Sequence, residues 1–289
     1  ERLSEEEAGL RSPQEWAALA SDFLQFARQR KPGQPALRIF NPHPRRDGWE
    51  SPRSVVQIVN DDMPFLVDSI SMALADQGVG VHALGHPVIA VQRDSAGKLE
   101  SVGSGALESM MHIEIDRLSA RDGARMEEVL RDVLDKVRAA VRDWPGIKQR
   151  MLEAAAELPA RAGARFTAEQ IGEAQAFLEW AADDHFTFLG YRRYKVGRRG
   201  EQRMLAAVPD TGLGLLREHA SARRPLESLG ANAMRLAGKL EQLILTKTNS
   251  RSKVHRPGYM DYIGVVNYDM KGRPLGEKRF IGLFTSSAY

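Results

Sequence analysis

The turn "NDDMPFLV" (Asn60–Val67) combines residue types that can bind a small charged ligand. Asp61 and Asp62 supply carboxylates that accept hydrogen bonds from an ammonium group. Backbone N–H groups at the start of the helix expected after Pro64 can hold a carboxylate. These features predict an effector site made of Asn60, Asp61, Asp62, Met63, Phe65 and Leu66. The structural alternative is that Asp61 or Asp62 only caps the helix, which stabilises it by about 0.3–1 kcal/mol.

A second candidate site is the polar loop "TKTNSRSKVHRP" (Thr246–Pro257), which lies between two predicted strands. Its cations could bind an anion. The predicted anion-binding residues are Lys247, Arg251, Lys253 and Arg256. The structural alternative is a solvated loop or an interface loop.

The segment "YRRYKVGRRGEQR" (Tyr191–Arg203) interleaves Tyr191 and Tyr194 with basic residues. Aromatic and basic residues together can bind single-stranded nucleic acid. A solvated strand face that ends in a charged hairpin tip explains the same pattern. Nucleic acid is therefore the least supported partner.

The sequence contains no complete catalytic constellation. It has no cysteine, and its seven histidines are scattered without the spacing of metal ligands. No glycine-rich phosphate loop follows a predicted strand, and "FTSSAY" lacks the glycines of a nucleophile elbow. We predict no catalytic, cofactor-binding or metal-binding residue in this chain.

Composition is typical of a globular protein of about two domains. Apolar residues make up 43% of the 289 residues and charged residues 27%, and the net charge of +3 is a mild excess. No stretch approaches the ~20 apolar residues of a membrane span. The start "ERLSEEEAGL" does not resemble a signal peptide, and the end lies near an apolar strand pattern. We expect a piece of a longer cytoplasmic polypeptide.

The first half predicts a strand–helix–strand–strand–helix unit. "SPQEWAALASDFLQFARQR" has helical periodicity, and "KPGQP" ends it. The predicted elements that follow are a strand "ALRIF", a strand "SVVQIVN", a helix ending at Gly78 and Gly80, a strand "VHALGHPVIAVQRD" with an irregularity at Pro87, a polar loop, a strand "SMMHIEIDRL", a helix ending at Pro145 and Gly146, and a connector helix. This order builds an antiparallel sheet with helices on one face.

The second half predicts another antiparallel sheet of about five strands. A helix opened by Thr167 leads into the hairpin "HFTFLGYRRYKV"/"QRMLAAVP", a loop, a short helix "ANAMRLAGKL", the strand "EQLILTKTN", and two strands joined by "DMKGRP". We therefore predict an α+β fold with two domains, residues 1–160 and 165–289.

Four long motifs make the chain resemble the N-terminal region of the large bacterial NAD-specific glutamate dehydrogenases. They are "IVNDDMPFLVDSISMAL", "FTFLGYRRY", "LTKTNSRSKVHRPGYMDYIGV" and "GEKRFIGLFTSSAY", which occur in the family's order between about Trp49 and Tyr289. The resemblance implies ACT-like regulatory domains here and a dehydrogenase domain further downstream. It implies that the parent protein oxidises L-glutamate to 2-oxoglutarate and ammonium with NAD as cofactor.

The ACT resemblance can be followed residue by residue. ACT domains often carry an Asp-x-Pro-Gly-Leu-Leu turn after their first strand, and "DMPFLV" matches it at Asp62, Pro64 and Leu66. Phe65 replaces the glycine. In amino-acid-binding members, that glycine lets a ligand approach the backbone. ACT units also close with a fourth strand after the second helix, whereas Pro145 leads into more helix here. The upstream "ALRIF" (Ala36–Phe40) is the candidate for that strand, which makes this an ACT-like variant.

Three functions fit these observations. The first is a non-catalytic regulatory or assembly segment of a homo-oligomeric glutamate dehydrogenase, in contact with other domains of its parent chain. The second is an amino-acid sensor that binds an effector at the Asn60–Leu66 turn. The third, less favoured, is a module that binds single-stranded nucleic acid through the Tyr191–Arg203 hairpin.

Overall fold

The computed structural model describes residues 11–161, 166–199, 202–217 and 242–285. The chain is α+β and divides into two compact units, Glu1–Asp135 and Lys136–Tyr289. Each unit is built on one antiparallel sheet. The division lies inside a long helix, whereas we expected the first domain to extend to residue 160. None of the described helices is long and apolar enough to span a membrane.

The first unit contains most of the helices. Its elements are α1 (Pro13–Ala27), β1 (Ala36–Phe40), the short α2 (Pro44–Asp47), β2 (Ser54–Asp61), α3 (Leu66–Asp76), β3 (Val81–Gly85), β4 (Val88–Arg93), β5 (Leu99–Val102), β6 (Ala106–Ile115) and the start of α4 (Ala120–Arg161). The sheet order is β1-β2-β6-β4-β5, and β3 also pairs with β6.

The edge strand β1 completes the predicted βαββα unit. It pairs antiparallel with β2, from Ala36 opposite Val59 to Phe40 opposite Val55. In a βαββαβ fold, the fourth strand occupies this same edge beside the first. The prediction that Ala36–Phe40 supplies the missing strand is therefore confirmed.

Helices cover both faces of the first sheet. Val55 of β2 packs in one cluster with Leu19 of α1, and Val59 packs in another with Ala27. On the opposite face, a Cβ added at Gly123 of α4 would lie 3.7 Å from Ile39 Cγ2, and Ile39 pairs with Val56, the neighbour of Val55. The extra helix α1 thus lies on the face of the sheet opposite α4.

Helix boundaries follow their local signals. Ser12 and Glu15 form a capping box at the start of α1, and Thr167 and Gln170 form another at the start of the next helix after α4. Gly78 has φ +71° and follows Gln77, the C-cap of α3, at the position where a left-handed glycine commonly ends a helix. The ladder along β6 is interrupted at Pro87, between β3 and β4.

Helix α4 runs without interruption for 42 residues. The prediction that it ends at Pro145 and Gly146 is wrong. A proline inside a helix costs about 3 kcal/mol, but the apolar stripe continues on both sides of it. Val137 before it, and Ile147 and Met151 after it, are all fully buried, and this burial outweighs the cost.

We predicted that the polar segment after β4 is a loop, but it also contains a strand. It contains β5, which pairs with β4 through Val91 opposite Val102 and Gln92 opposite Ser101. This four-residue edge strand alternates half-buried and exposed positions, so it lacks the apolar pattern by which strands are recognised.

The second unit matches the predicted antiparallel sheet with one additional short strand. It contains the rest of α4, α5 (Ala168–Trp180), a π-helical turn (Ala181–His185), β7 (Phe186–Arg199), β8 (Gln202–Ala207), β9 (Leu213–Gly214), β10 (Leu243–Arg251), β11 (Tyr259–Tyr268) and β12 (Pro274–Phe284). The order is β10-β11-β12-β7-β8, with β9 beside β7. The predicted short helix "ANAMRLAGKL" lies outside the described residues.

The core of the second unit lies between the sheet and two helices. Ile263 and Phe280 of the sheet cluster with Ile147 and Met151 of α4 and with Leu178 of α5. All five side chains are buried. The apolar stripe of α4 from Ile147 to Leu158 therefore belongs to this core.

Candidate functional site

The turn predicted to bind an effector connects β2 to α3 in the first unit. Its most unusual residue is Phe65, which has φ +72° and ψ 1° and directly precedes α3. This left-handed conformation favours glycine and costs other residues about 1–2 kcal/mol. The backbone therefore adopts the shape expected of the glycine in the ACT turn although a phenylalanine occupies the position.

Asp61 is engaged in a buried ion-pair network. Its carboxylate accepts from Arg30 Nη2 at 2.6 Å, and Arg30 also donates to Glu108 at 2.6 Å. Arg93 donates to the same Glu108 at 2.7 Å. Burial opposes ionisation of Glu108, but hydrogen bonds from Arg93 and Arg30 outweigh it and keep the pKa of Glu108 below its usual value. The network ties the end of β2 to β4, β6 and the segment after α1.

Sequence reasoning missed the other members of this network. Arg30 and Glu108 are 78 positions apart, and no local pattern links them. The Glu108 side chain is 1% exposed, and the Arg30 side chain 5%. A fully buried carboxylate needs charged partners, because an unpaired one costs several kcal/mol. Asp61 is the network's partly exposed end, at 38%.

Asp62 makes its contacts elsewhere. Its Oδ1 accepts from the Ser109 hydroxyl at 2.6 Å, and its backbone N–H donates to the Leu107 carbonyl at 3.0 Å. Asp61 shares a face with α1, whereas Ser109 lies opposite Asn60 and therefore shares the other face. The two carboxylates are thus directed to opposite sides of the sheet and do not converge on one ammonium group.

The contacts described for Asp61 and Asp62 are with the sheet and the segment after α1. The residue before the first turn of α3 is Phe65, which makes no side-chain capping hydrogen bond, and Asp61 and Asp62 lie further upstream. Asn60 and Leu66 are buried, and Met63 and Phe65 are half-buried. The six predicted residues are contiguous at the turn, and their carboxylates serve the sheet.

The cations of the predicted anion-binding loop are partly engaged within the second unit. Lys247 lies 2.6 Å from a carboxylate oxygen of Asp261, and Arg256 donates to the backbone carbonyl of Phe284 at 2.5 Å. Arg251 lies opposite Tyr259 in the ladder between β10 and β11, and Lys253 is exposed in the loop that follows. The loop itself is fixed by Ser252, whose hydroxyl donates to the Val254 carbonyl at 2.7 Å.

The aromatic residues of the basic hairpin are not free to stack on bases. Tyr191 is 2% exposed in the core, where burial raises its pKa to about 12. Tyr194 lies under the Arg279 guanidinium, 3.9 Å from the ring centroid. The side chains of Arg198, Arg199 and Arg203 lie outside the described residues. The two tyrosine rings on which bases would stack in the nucleic-acid hypothesis are therefore already occupied by other contacts.

Arg279 is 1% exposed and belongs to a buried polar cluster in the second unit. Its Nε donates to Glu277 at 3.1 Å and to the Tyr262 hydroxyl at 3.2 Å, and Tyr262 also bonds Glu277. Burial raises the pKa of Tyr262 well above its ordinary value. Within the described ranges, no group of histidine and acidic residues is arranged to hold a metal ion.

Comparisons with known proteins agree with this architecture. The model of the family "Glutamate dehydrogenase, ACT1 domain" matches residues 1–133, which cover the first unit almost completely. The NAD-specific glutamate dehydrogenase of Halomonas elongata is 35% identical over 276 residues, which cover 91% of this chain and 17% of that protein.

Two further relatives carry the same name. That of Pseudomonas aeruginosa is 35% identical over 89% of this chain and 16% of its own length. That of Mycobacterium tuberculosis is 26% identical over 94% of this chain and 16% of its own length. The chain thus spans about a sixth of these relatives. Residues 1–133 thus match the model of the glutamate dehydrogenase ACT1 domain, and most of the chain is similar to a part of NAD-specific glutamate dehydrogenases.

Proposed function

We propose that this chain is a non-catalytic regulatory and assembly segment of a large cytoplasmic NAD-dependent glutamate dehydrogenase. The observation that carries the proposal is the ACT-like sheet, completed by β1 and matched by the ACT1 family over residues 1–133. The names of the relatives support a parent reaction that converts L-glutamate, NAD and water into 2-oxoglutarate, ammonium and NADH. The sequence supplies no dinucleotide fingerprint for that step.

The non-catalytic role is tested by an absorbance assay at 340 nm. The purified chain is mixed with L-glutamate and NAD, and heat-treated chain serves as the control. We expect no NADH above the control. Steady NADH formation that scales with the concentration of the chain would overturn this part of the proposal.

An apolar patch on the first sheet supports the assembly role. Leu107 is 56% exposed and Val88 is 43% exposed, and Ala90 lies directly opposite Leu107 in the ladder. We propose that a second copy of the chain covers this patch, since contiguous exposed apolar side chains commonly mark an interface. Other domains of the parent chain are the alternative occupant.

Light scattering during size-exclusion chromatography tests the patch. We expect an oligomer at high concentration that Leu107→Glu converts to a monomer. Met270→Glu is the matched control, because Met270 is 85% exposed in a turn of the second unit. A wild-type chain that stays monomeric at every concentration would contradict self-assembly and favour the other domains.

A second candidate function is effector sensing at the Asn60–Leu66 turn. It is supported by the left-handed backbone at Phe65, which preserves the shape of the ACT turn. Thermal shift against amino acids, 2-oxoglutarate and nucleotides tests it. A saturable rise that disappears in Asp62→Ala would support sensing there, whereas equal rises in both proteins would exclude the turn.

A further inference from the structure

A cleft in the first unit, distinct from the β2–α3 turn, has the dimensions of a small-molecule site. Its volume is about 570 Å³, and its lining comes from residues 42–45, residues 50–52 and Arg117. Sites for small ligands commonly occupy about 300–1,000 Å³.

The walls of this cleft are held in place by local contacts. Three of its lining residues are the prolines Pro42, Pro44 and Pro52, whose rings fix the backbone. Arg117 Nη1 donates to the Ser51 carbonyl at 2.9 Å. The Ser51 side chain is buried and approaches Glu114 at 3.4 Å, so the segment is anchored to β6.

The charged groups of the cleft are available to a ligand. Arg45 and Glu50 are exposed, and neither forms an ion pair with another described residue. Arg117 uses one of its five N–H donors to bond a backbone carbonyl. It also has no ion pair within the described ranges. His43 Nδ1 accepts from the Arg45 backbone N–H at 3.2 Å, which leaves Nε2 to donate. The lining therefore offers two guanidinium groups and one carboxylate.

We propose that this cleft binds an acidic α-amino acid. Such a ligand carries two carboxylates and one ammonium group, which match Arg45, Arg117 and Glu50 group for group. Guanidinium–carboxylate pairs are strong and often bidentate, so the two arginines would determine the orientation of the ligand. The match concerns ligand binding alone and goes beyond the assembly role, whose chromatographic test can fail or succeed independently.

Isothermal titration calorimetry of the whole chain with L-glutamate tests the site. We expect saturable binding of one ligand per chain. Arg45→Gln should weaken it about 10-fold or more, since a hydrogen bond to a charged group contributes about 1.5–3 kcal/mol. Arg121→Gln is the matched control: Arg121 is an exposed arginine in α4, outside the cleft, and its loss should leave binding unchanged.

Glutarate distinguishes an amino-acid site from a site for any dicarboxylate, because it has the two carboxylates of L-glutamate without the ammonium group. Glu50→Gln should weaken L-glutamate binding and strengthen glutarate binding, since it removes an attraction in the first case and a repulsion in the second. Absence of saturable L-glutamate binding to the wild-type chain, or equal effects of Arg45→Gln and Arg121→Gln, would overturn the site. Equal responses of the two ligands to Glu50→Gln would overturn the amino-acid assignment.

Discussion

At the scale of single residues, two side chains in the first unit occupy environments that oppose their ordinary chemistry. Phe65 adopts a backbone conformation that favours glycine. His112 is half-buried against Trp49, with ring centroids 5.8 Å apart. His112 lies in β6 and Phe65 directly precedes α3, and both can be tested by stability measurements.

Replacing Phe65 by glycine and by alanine separates backbone strain from packing. Both substitutions lose the contacts of the half-buried ring, but only alanine keeps the cost of φ +72°. We expect Phe65→Gly to be more stable than Phe65→Ala by about 1 kcal/mol, the reverse of the usual order next to a helix. Urea denaturation measures both, and the usual order would show that the left-handed conformation is not populated.

His112 should make the first unit less stable in mild acid. Burial lowers its pKa to about 4 from 6.5, although Glu114 opposes the shift. Below pH 6.5 His112 is protonated in the unfolded chain, whereas in the folded chain it is protonated only below about pH 4. The free energy of unfolding therefore falls as the pH decreases from 6.5 to 4. The full effect is about 3 kcal/mol.

The expected result is that His112→Gln flattens the stability profile between pH 6.5 and pH 4. The glutamine keeps a polar side chain beside Gln57, which contacts His112 Nδ1 at 3.3 Å. His82→Gln is the control, because His82 is exposed and pairs with Asp116. Identical slopes for the His112 variant and the wild type would assign the acid sensitivity to other groups.

At the scale of elements, local signals explain what the sequence could predict. The capping boxes at Ser12 and Thr167, the glycine that ends α3, and the periodicity of the strands are all contained in short windows. Pairings between distant segments are not contained in such short windows. The ion pair between Arg30 and Glu108 depends on how the sheet folds, and no periodicity of the sequence predicts it.

The prediction that the helix is interrupted at Pro145 was wrong for a related reason. Local propensity opposes a helix at Pro145 and Gly146, but the tertiary contacts of Val137 and Ile147 stabilise it. The short β5 was missed because an edge strand with one solvent-facing side has no strong apolar pattern. In both places long-range packing decided the structure.

Gly146 offers a direct measure of that conflict. A Cβ added there would meet Leu213 Cδ1 at 3.6 Å, an ordinary contact. Gly146→Ala should therefore stabilise the chain by about 0.5–1 kcal/mol through helix propensity. Gly276→Ala is the opposite case, since its Cβ would lie 2.3 Å from the Tyr194 carbonyl oxygen. Destabilisation by both variants would indicate that α4 is not continuous at Gly146.

The apolar stripe of α4 in the first unit can be tested at Leu130, which is fully buried. Leu130→Ala should destabilise the chain by about 2–5 kcal/mol, as a core cavity does. Leu24→Ala in α1 is the control, because Leu24 is 49% exposed and its loss should cost much less. A melting curve unchanged by Leu130→Ala would contradict the burial of this face.

At the scale of the whole molecule, one helix contributes to two cores. Residues of α4 before Lys136 belong to the first unit, whereas Ile147, Met151 and Leu158 belong to the core of the second. A fragment can therefore contain a complete first unit and still carry apolar side chains that have lost their partners.

This division predicts different behaviour for two fragments. Residues 1–135 end at the boundary of the first unit, whereas residues 1–161 add the stripe that packs in the second. We expect the longer fragment to self-associate and to bind a hydrophobic dye more strongly. Dye fluorescence and light scattering compare them, with the full chain as control. Equal dye binding by the two fragments would show that the stripe does not remain exposed.

The origin of β1 explains how such a long helix is compatible with the sheet. In a βαββαβ fold the second helix must stop and return the chain to the edge of the sheet, where it forms the last strand. Here that strand is supplied from upstream, by Ala36–Phe40. The arrangement is a circular permutation of the common order: the strand that would follow the second helix instead precedes the first strand. The permutation releases α4 from returning to the sheet, so one continuous helix can leave the first unit and begin the next.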